Sequence, residues 1–292
     1  MATLTRWVGP DADSWLRDLP RLSAAISDEW QLELDEVLLG GSTSLVIAGR
    51  SPDHGPVVLK VPFPDPENHF EPEALQAYGG EGAVRLLEFD SSSRAMLLER
   101  AVPGSPLSDL SDLGQALEIA CRLLVRLRRR IRSTGDIPHC SDFLDGWLQA
   151  ASEAVASSPD AVRPALVRAI ELGRRLDAGG GPGLLVNRDA HLGNFVRAER
   201  EDWLLIDPKP MIGEPAFEGG FLLLDAMDRN RHPGLAPTRQ LLATIAANLG
   251  VGADRVLAWA LIRAFDNTTW ARSVGEDPST WESRALLLAR LS

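Results

Sequence analysis

The sequence predicts an α+β chain in two lobes: a small antiparallel-sheet lobe with one helix over residues 1–101, and a larger, mainly helical lobe over 102–292. Three observations carry this. The first hundred residues alternate short apolar runs with turn chemistry. The stretch AVPGSPL, with Pro103, Gly104 and Pro106, reads as a connector. Beyond it apolar residues recur at helical spacing, broken by one polar hairpin.

In EVLLGGSTSLVIAG, a Gly pair and small polar residues separate two apolar runs. The turn RSPDHGP leads to GPVVLKVP, a β-branched run ending near Lys60. FEPEALQAYGG reads as a helix from about Pro72, closed by Gly79 and Gly80. AVRLLEF and RAMLLER read as paired strands around DSSS. The order is strand, strand, helix, strand, strand. After the connector, Leu113, Leu117, Ala120, Leu124, Leu127 and Ile131 mark a helix, and helix continues to about Leu176, where DAGGGPG breaks it. RLRRRIR reads as a solvated arginine face on that helix. TRQLLATIAANL, ADRVLAWALIRAFDNTTWARS and STWESRALLLARL give helices at the end.

With 45% hydrophobic and 24% charged residues, the 292-residue chain buries a sizeable core and is not disordered. Its net charge of -11 argues against nucleic acid and anionic membrane as partners. It suits a cationic small molecule, or plain solubility. Two cysteines, Cys121 and Cys140, make neither a disulfide framework nor a metal site; Cys121 reads as core and Cys140 as loop. The N-terminus lacks a signal-peptide core, and no run of ~18 apolar residues predicts a membrane span, so the cytoplasm is the expected location.

The polar stretch LLVNRDAHLGNFVRAEREDWLLIDPKP holds the densest chemistry. FVRA and WLLID read as a hairpin. Asn194 precedes its first strand and Asp207 ends its second, so antiparallel pairing makes them neighbours, with Asp189 five residues before Asn194. Three such oxygen-bearing side chains suit Mg²⁺. Asn194 and Asp207 would hold the metal and nucleotide phosphates, and Asp189 would take the proton of an attacking hydroxyl. The competing reading is ordinary turn residues. Lys60, ending a strand before a Glu-bearing helix, matches the lysine–glutamate pair that orients phosphates in kinases. In GGSTS, Gly40, Gly41 and Ser42 cover phosphates, form a plain hairpin turn, or do both.

These residues carry a resemblance. The chain resembles the aminoglycoside phosphotransferase family of the protein-kinase-like fold, in its streptomycin 6-phosphotransferase and hydroxyurea-resistance kinase branch. The similar pieces are EGAVRLLEFD, AMLLERAVPGSPL, DAHLGNFVRAERE, WLLIDPKPMIGEPAF and LAWALIRAFDNTTW, spanning about Gly40 to Trp270. The resemblance implies ATP and Mg²⁺ as cofactors, Asp189 as catalytic residue, Asn194 and Asp207 as metal ligands, and Lys60 as phosphate-binding lysine. It implies Glu71 as the partner of Lys60, with Glu73 as the other candidate, and the backbone of Glu99 to Ala101 at the adenine edge. His191 matches a structural histidine. The family loop usually reads H-G-D, where this chain has Asn187-Arg188-Asp189; Glu214 and Glu218 stand where the family tends to have Asp.

A cationic acceptor would need carboxylates on the helical lobe; the candidates are Asp142, Asp145, Glu218, Asp225, Asp228 and Asp266. Three readings follow: a kinase of an aminoglycoside such as streptomycin, a kinase of an unrelated small metabolite, and a nucleotide-binding protein with little transfer activity.

Overall fold

A computed structural model describes residues 10–39, 43–130, 136–176, 183–230 and 234–292. They fall into two units, Met1–Gly104 with Arg197–Lys209, and Ser105–Val196 with Pro210–Ser292.

The first unit opens with a helix that the strand-and-turn reading of the first hundred residues omitted, α1 (Pro10–Glu29). Trp15, Leu16, Leu19, Leu22 and Ile26 form its apolar stripe, and Asp11 and Asp13 sit in its first turn, where the helix dipole favours them. Pro20 interrupts the pattern from inside. The stripe packs on one face of a five-stranded antiparallel sheet, β1 (Glu33–Val37), β2 (Ser44–Ser51), β3 (Gly55–Pro62), β4 (Leu86–Phe89) and β5 (Met96–Glu99), in the order β1-β2-β3-β5-β4. Strand β1 is a fifth strand; it is a largely exposed edge, so its residues carry no apolar alternation. In β3, Val57, Leu59 and Val61 face the α1 side, which turns Lys60 to the opposite face. Helix α2 (Glu71–Tyr78) begins one residue before the expected start, and Gly79 closes it at φ 60°.

Residues 197–209 are sewn onto the same unit by backbone bonds. Leu205 N–H donates to Gly82 O at 2.9 Å, and Val84 N–H donates to Leu205 O at 3.0 Å. The connector contains a short strand, β6 (Pro103–Pro106).

The second unit is mainly helical: α3 (Leu113–Leu127), α4 (Cys140–Ala154), α5 (Arg163–Arg175), α6 (Pro215–Arg229), α7 (Leu235–Leu249), α8 (Ala253–Ser273) and α9 (Ser279–Ala289). Asp112 caps α3 by accepting Gln115 N–H at 3.1 Å. Helices α6 and α8 cross closely at Gly220, where a Cβ would stand 2.7 Å from Trp259 Cβ and 2.8 Å from Ala260 N. A small sheet holds the polar loop: β7 (Arg129–Arg130), β8 (Leu184–Asn187) and β11 (Pro210–Gly213), with β8 central. The intervening hairpin strands are β9 (Phe195–Ala198) and β10 (Trp203–Leu205).

Arg126 to Arg130, the described part of the arginine run, is not one helical face, and Ile131 and Arg132 lie outside the described residues. Helix α3 stops at Leu127, Arg128 turns extended and donates to Leu249 O at 2.6 Å, and Arg129 pairs with Leu185. Cys140 is not a loop residue but the first residue of α4; like Cys121 it is buried, and burial raises both thiol pKa values, that of Cys121 to about 12. Among the described residues, no single helix is long and apolar enough to cross a membrane.

Candidate active site

Strand β3 and helix α2 place Lys60 and Glu71 in one buried pair. Lys60 Nζ lies 2.7 Å and 2.6 Å from the two carboxylate oxygens of Glu71. A third partner comes from 147 residues away: Asp207 Oδ1, also at 2.6 Å. Glu73 is exposed, so α2 settles the lysine's partner in favour of Glu71. Burial alone would lower the Lys60 pKa, but Asp207 and Glu71 outweigh it and hold the ammonium firmly charged. Burial pushes the Glu71 carboxyl up to about 7, against the pull of Lys60. Asp207 sits at φ 50°, in the left-handed region, with its side chain 37% exposed. It is therefore tethered to Lys60 through one oxygen while still reaching solvent.

The expected adenine edge lies at the end of β5. Glu99 N–H donates to Arg85 O at 2.9 Å, and Ala101 follows half-buried. The Glu99 carboxylate is gripped by Arg200 from the hairpin turn, through Nε at 2.7 Å and Nη2 at 2.8 Å. Gly41 and Ser42, with Gly40, lie outside the described residues.

In the second unit, strand β8 delivers the chain into a loop built on its own polar groups. Asn187, fully buried, accepts Asp189 N–H on Oδ1 at 3.0 Å. This Asx turn supplies the local brace that the residue type allows. His191 N–H and Asn194 Nδ2 both donate to Asp189 O, at 2.9 Å and 3.0 Å. His191 Nδ1 accepts Gly193 N–H at 3.1 Å, and its Nε2 stands 3.8 Å from Asp189 Oδ2, too far for a hydrogen bond. A Cβ at Gly193 would meet the imidazole at 2.9 Å, so this glycine lets the ring lie on the backbone. Arg188 is turned sideways, its guanidinium 5.8 Å from the Phe143 ring centroid.

Helix α6 holds this loop from behind. Glu218, 3% exposed, accepts Asn187 N–H at 2.8 Å; Asp225 accepts Leu192 N–H at 3.0 Å and pairs with Arg229. Burial raises the Glu218 pKa to about 8, with the Asn187 N–H and Arg128 opposing. Glu214 likewise turns inward, accepting Arg255 Nε at 2.5 Å and Trp259 Nε1 at 2.7 Å.

Most of the expected acceptor carboxylates have partners within the protein. Glu218 and Asp225 are occupied in holding the loop, Asp228 pairs with Arg284, and Asp266 pairs with the buried Arg263 at 3.3 Å. Asp142 and Asp145 remain on an exposed face of α4. Asp142 and Asp266 do share a groove of about 430 Å³ with Phe143, Trp147, Phe265 and Thr269. Phe143, under Arg188, thus forms part of both the groove and the surroundings of the loop. The distant partners of Arg200 and Arg128, Glu99 and the Leu249 carbonyl, have no local mark in the sequence.

Comparison with known proteins agrees with this chemistry. Residues 29–275 match the model of the aminoglycoside/hydroxyurea antibiotic resistance kinase family. A hydroxyurea phosphotransferase of Kitasatospora aureofaciens is 33% identical, over 93% of this chain and 78% of that protein. A streptomycin 6-kinase of Streptomyces glaucescens is 31% identical, over 92% of this chain and 88% of that protein. In fold, the chain is similar to a thermostable mutant of aminoglycoside phosphotransferase APH(4)-Ia in ternary complex with ADP and hygromycin B, with TM-score 0.63 and 14% identity over 92% of this chain and 98% of that one. It is equally similar to the choline kinase LicA of Streptococcus pneumoniae, with TM-score 0.63 and 13% identity over 93% of this chain and all of that one. The chain belongs to the aminoglycoside/hydroxyurea antibiotic resistance kinase family, on a kinase-like fold, and is a small-molecule phosphotransferase.

Proposed function

We propose that this chain transfers the γ-phosphoryl group of ATP to a hydroxyl of a small molecule of the streptomycin type, conferring resistance by O-phosphorylation. The observation that carries the reading is the buried Lys60 ammonium held by Glu71 and Asp207. A cation fixed by two carboxylates is a costly arrangement for stability alone. It is well suited to binding phosphate oxygens.

In this reading the first unit carries the nucleotide, with Lys60 on its phosphates and the Glu99–Ala101 backbone at adenine. The second unit carries Asp189 and the acceptor. Asp189 accepts the proton of the attacking hydroxyl; its backbone is fixed by Asn187, His191 and Asn194, which limits the reorganisation needed at transfer. Asn194 donates its amide nitrogen to Asp189 O, so its amide oxygen is the atom that would hold a metal. That oxygen and the Asp207 carboxylate are hard donors of the kind Mg²⁺ takes. Bound Mg²⁺ would neutralise phosphate charge during transfer. A dependence on ATP would fit a reaction in the cytoplasm.

The acceptor is assigned to the groove containing Asp142, Asp266 and Trp147. One observation favours a second reading, a smaller and less cationic acceptor such as hydroxyurea: four of the six candidate carboxylates are already held by backbone N–H groups or arginines. The test is ADP release over streptomycin, hydroxyurea, hygromycin B and choline. Turnover on streptomycin supports the first reading, and turnover on hydroxyurea alone supports the second. ATP binding without turnover on any acceptor returns the chain to a nucleotide-binding role.

A further inference from the structure

The turn between β9 and β10 contains an arginine whose five N–H groups are all engaged within the first unit. Arg200 Nε and Nη2 fork onto the two Glu99 oxygens at 2.7 Å and 2.8 Å. Nη1 reaches Gly80 O and Glu201 Oε1, both at 2.7 Å, and Nη2 also reaches Ala83 O at 3.0 Å. The Glu99 carboxylate additionally accepts Arg85 N–H at 3.1 Å. Arg200 thus joins the end of β5 to the loop that follows α2, across more than a hundred residues of sequence.

We propose that Arg200 is a positioning residue for the nucleotide base, fixing the Glu99–Ala101 backbone through the Glu99 carboxylate. This rests on the reading of that backbone as the adenine edge. An ordinary surface ion pair contributes little, because two long side chains must be ordered in water. Here the arginine side chain is only 23% exposed, its geometry is bidentate, and two carbonyls hold its guanidinium in place before any ligand arrives. Backbone that must meet a base edge at hydrogen-bond distance gains from being fixed in advance. Glu99 ends β5, and its side chain adds to the bond from Arg100 N–H to Pro56 O, at 3.4 Å, in holding the residues that follow.

The test measures binding of ATP, purine riboside triphosphate and inorganic tripolyphosphate to wild type, Arg200→Ala and Arg200→Lys, with Tm recorded for each. Arg200→Ala should weaken ATP about tenfold, the loss of one charge-assisted pair, and leave tripolyphosphate unchanged. Arg200→Lys keeps the charge but not the fork, and should show the same base-dependent loss in smaller measure; it serves if Arg200→Ala does not fold. Equal weakening of ATP and tripolyphosphate, or unchanged ATP binding in a folded variant, overturns the proposal. Wild type binding ATP and purine riboside triphosphate equally well removes the adenine-edge reading, and the proposal with it.

Discussion

Glu218 Oε1 accepts the backbone N–H of Asn187 at 2.8 Å, from a helix lying behind the loop that presents Asp189. A residue thirty-one positions downstream therefore anchors the strand end where the polar loop begins. Replacing Glu218 by Ala should cost about 1–3 kcal/mol, because a buried N–H loses its acceptor. Glu218→Gln keeps an acceptor oxygen and should cost less. Urea unfolding of the two variants distinguishes them.

The same residue gives a pH signature. Its folded pKa, about 8, lies above the ordinary value of 4.5, so the folded state binds the proton more tightly. The stabilisation is fully present below pH 4.5 and is lost as pH rises through about 8. Glu71, raised to about 7, contributes in the same direction. Unfolding free energy should therefore fall across this window, and more shallowly in Glu218→Gln. An identical slope in both proteins would remove Glu218 as the source.

Lys60→Met should reduce kcat/KM for ATP by about 10²–10³-fold, the usual cost of losing a fixed charge at a transferring phosphoryl group. It leaves Glu71 and Asp207 without the ammonium between them. Lys60→Arg should not rescue it, since a planar fork does not replace a point donor in a buried site. Steady-state kinetics at varied ATP reads both.

Asp189 and His191 should separate cleanly. Asp189→Ala is expected to lower kcat by about 10²–10⁴-fold. His191→Ala removes the acceptor for Gly193 N–H, and should cost about 1 kcal/mol of stability with kcat within a few-fold of wild type. Paired kinetics and thermal unfolding report the two effects.

Gly220→Ala should destabilise by about 1–3 kcal/mol through overpacking against Trp259. In α4, Gly146 has open space around its Cβ position, so Gly146→Ala should stabilise by about 0.5–1 kcal/mol. Denaturant midpoints test the contrast in sign.

The sequence made Lys60 and the polar loop legible because each concentrates its signal locally. A lysine interrupts a β-branched run; Asp, His and Asn crowd between two apolar strands. Helix α1 was hidden by Pro20, which breaks the pattern that Trp15, Leu19 and Ile26 would otherwise give. Strand β7, two residues long, is too short for any periodicity and lies in an arginine run that imitates a helix. The inward turn of Glu214 and Glu218 depends on helices α6 and α8 and strand β8 meeting, which residue type does not reveal. The role of Arg200 is not legible locally because, Glu201 apart, its partners lie 101 to 120 residues away.

Mass spectrometry of the acceptor panel after incubation with ATP and Mg²⁺ tests phosphoryl transfer most directly. Wild type should add one phosphoryl group to at least one acceptor, and Asp189→Ala should do so at least about a hundredfold more slowly while still binding ATP. Phosphorylation by Asp189→Ala at the wild-type rate, or ATP-bound wild type that modifies no acceptor, would contradict the account.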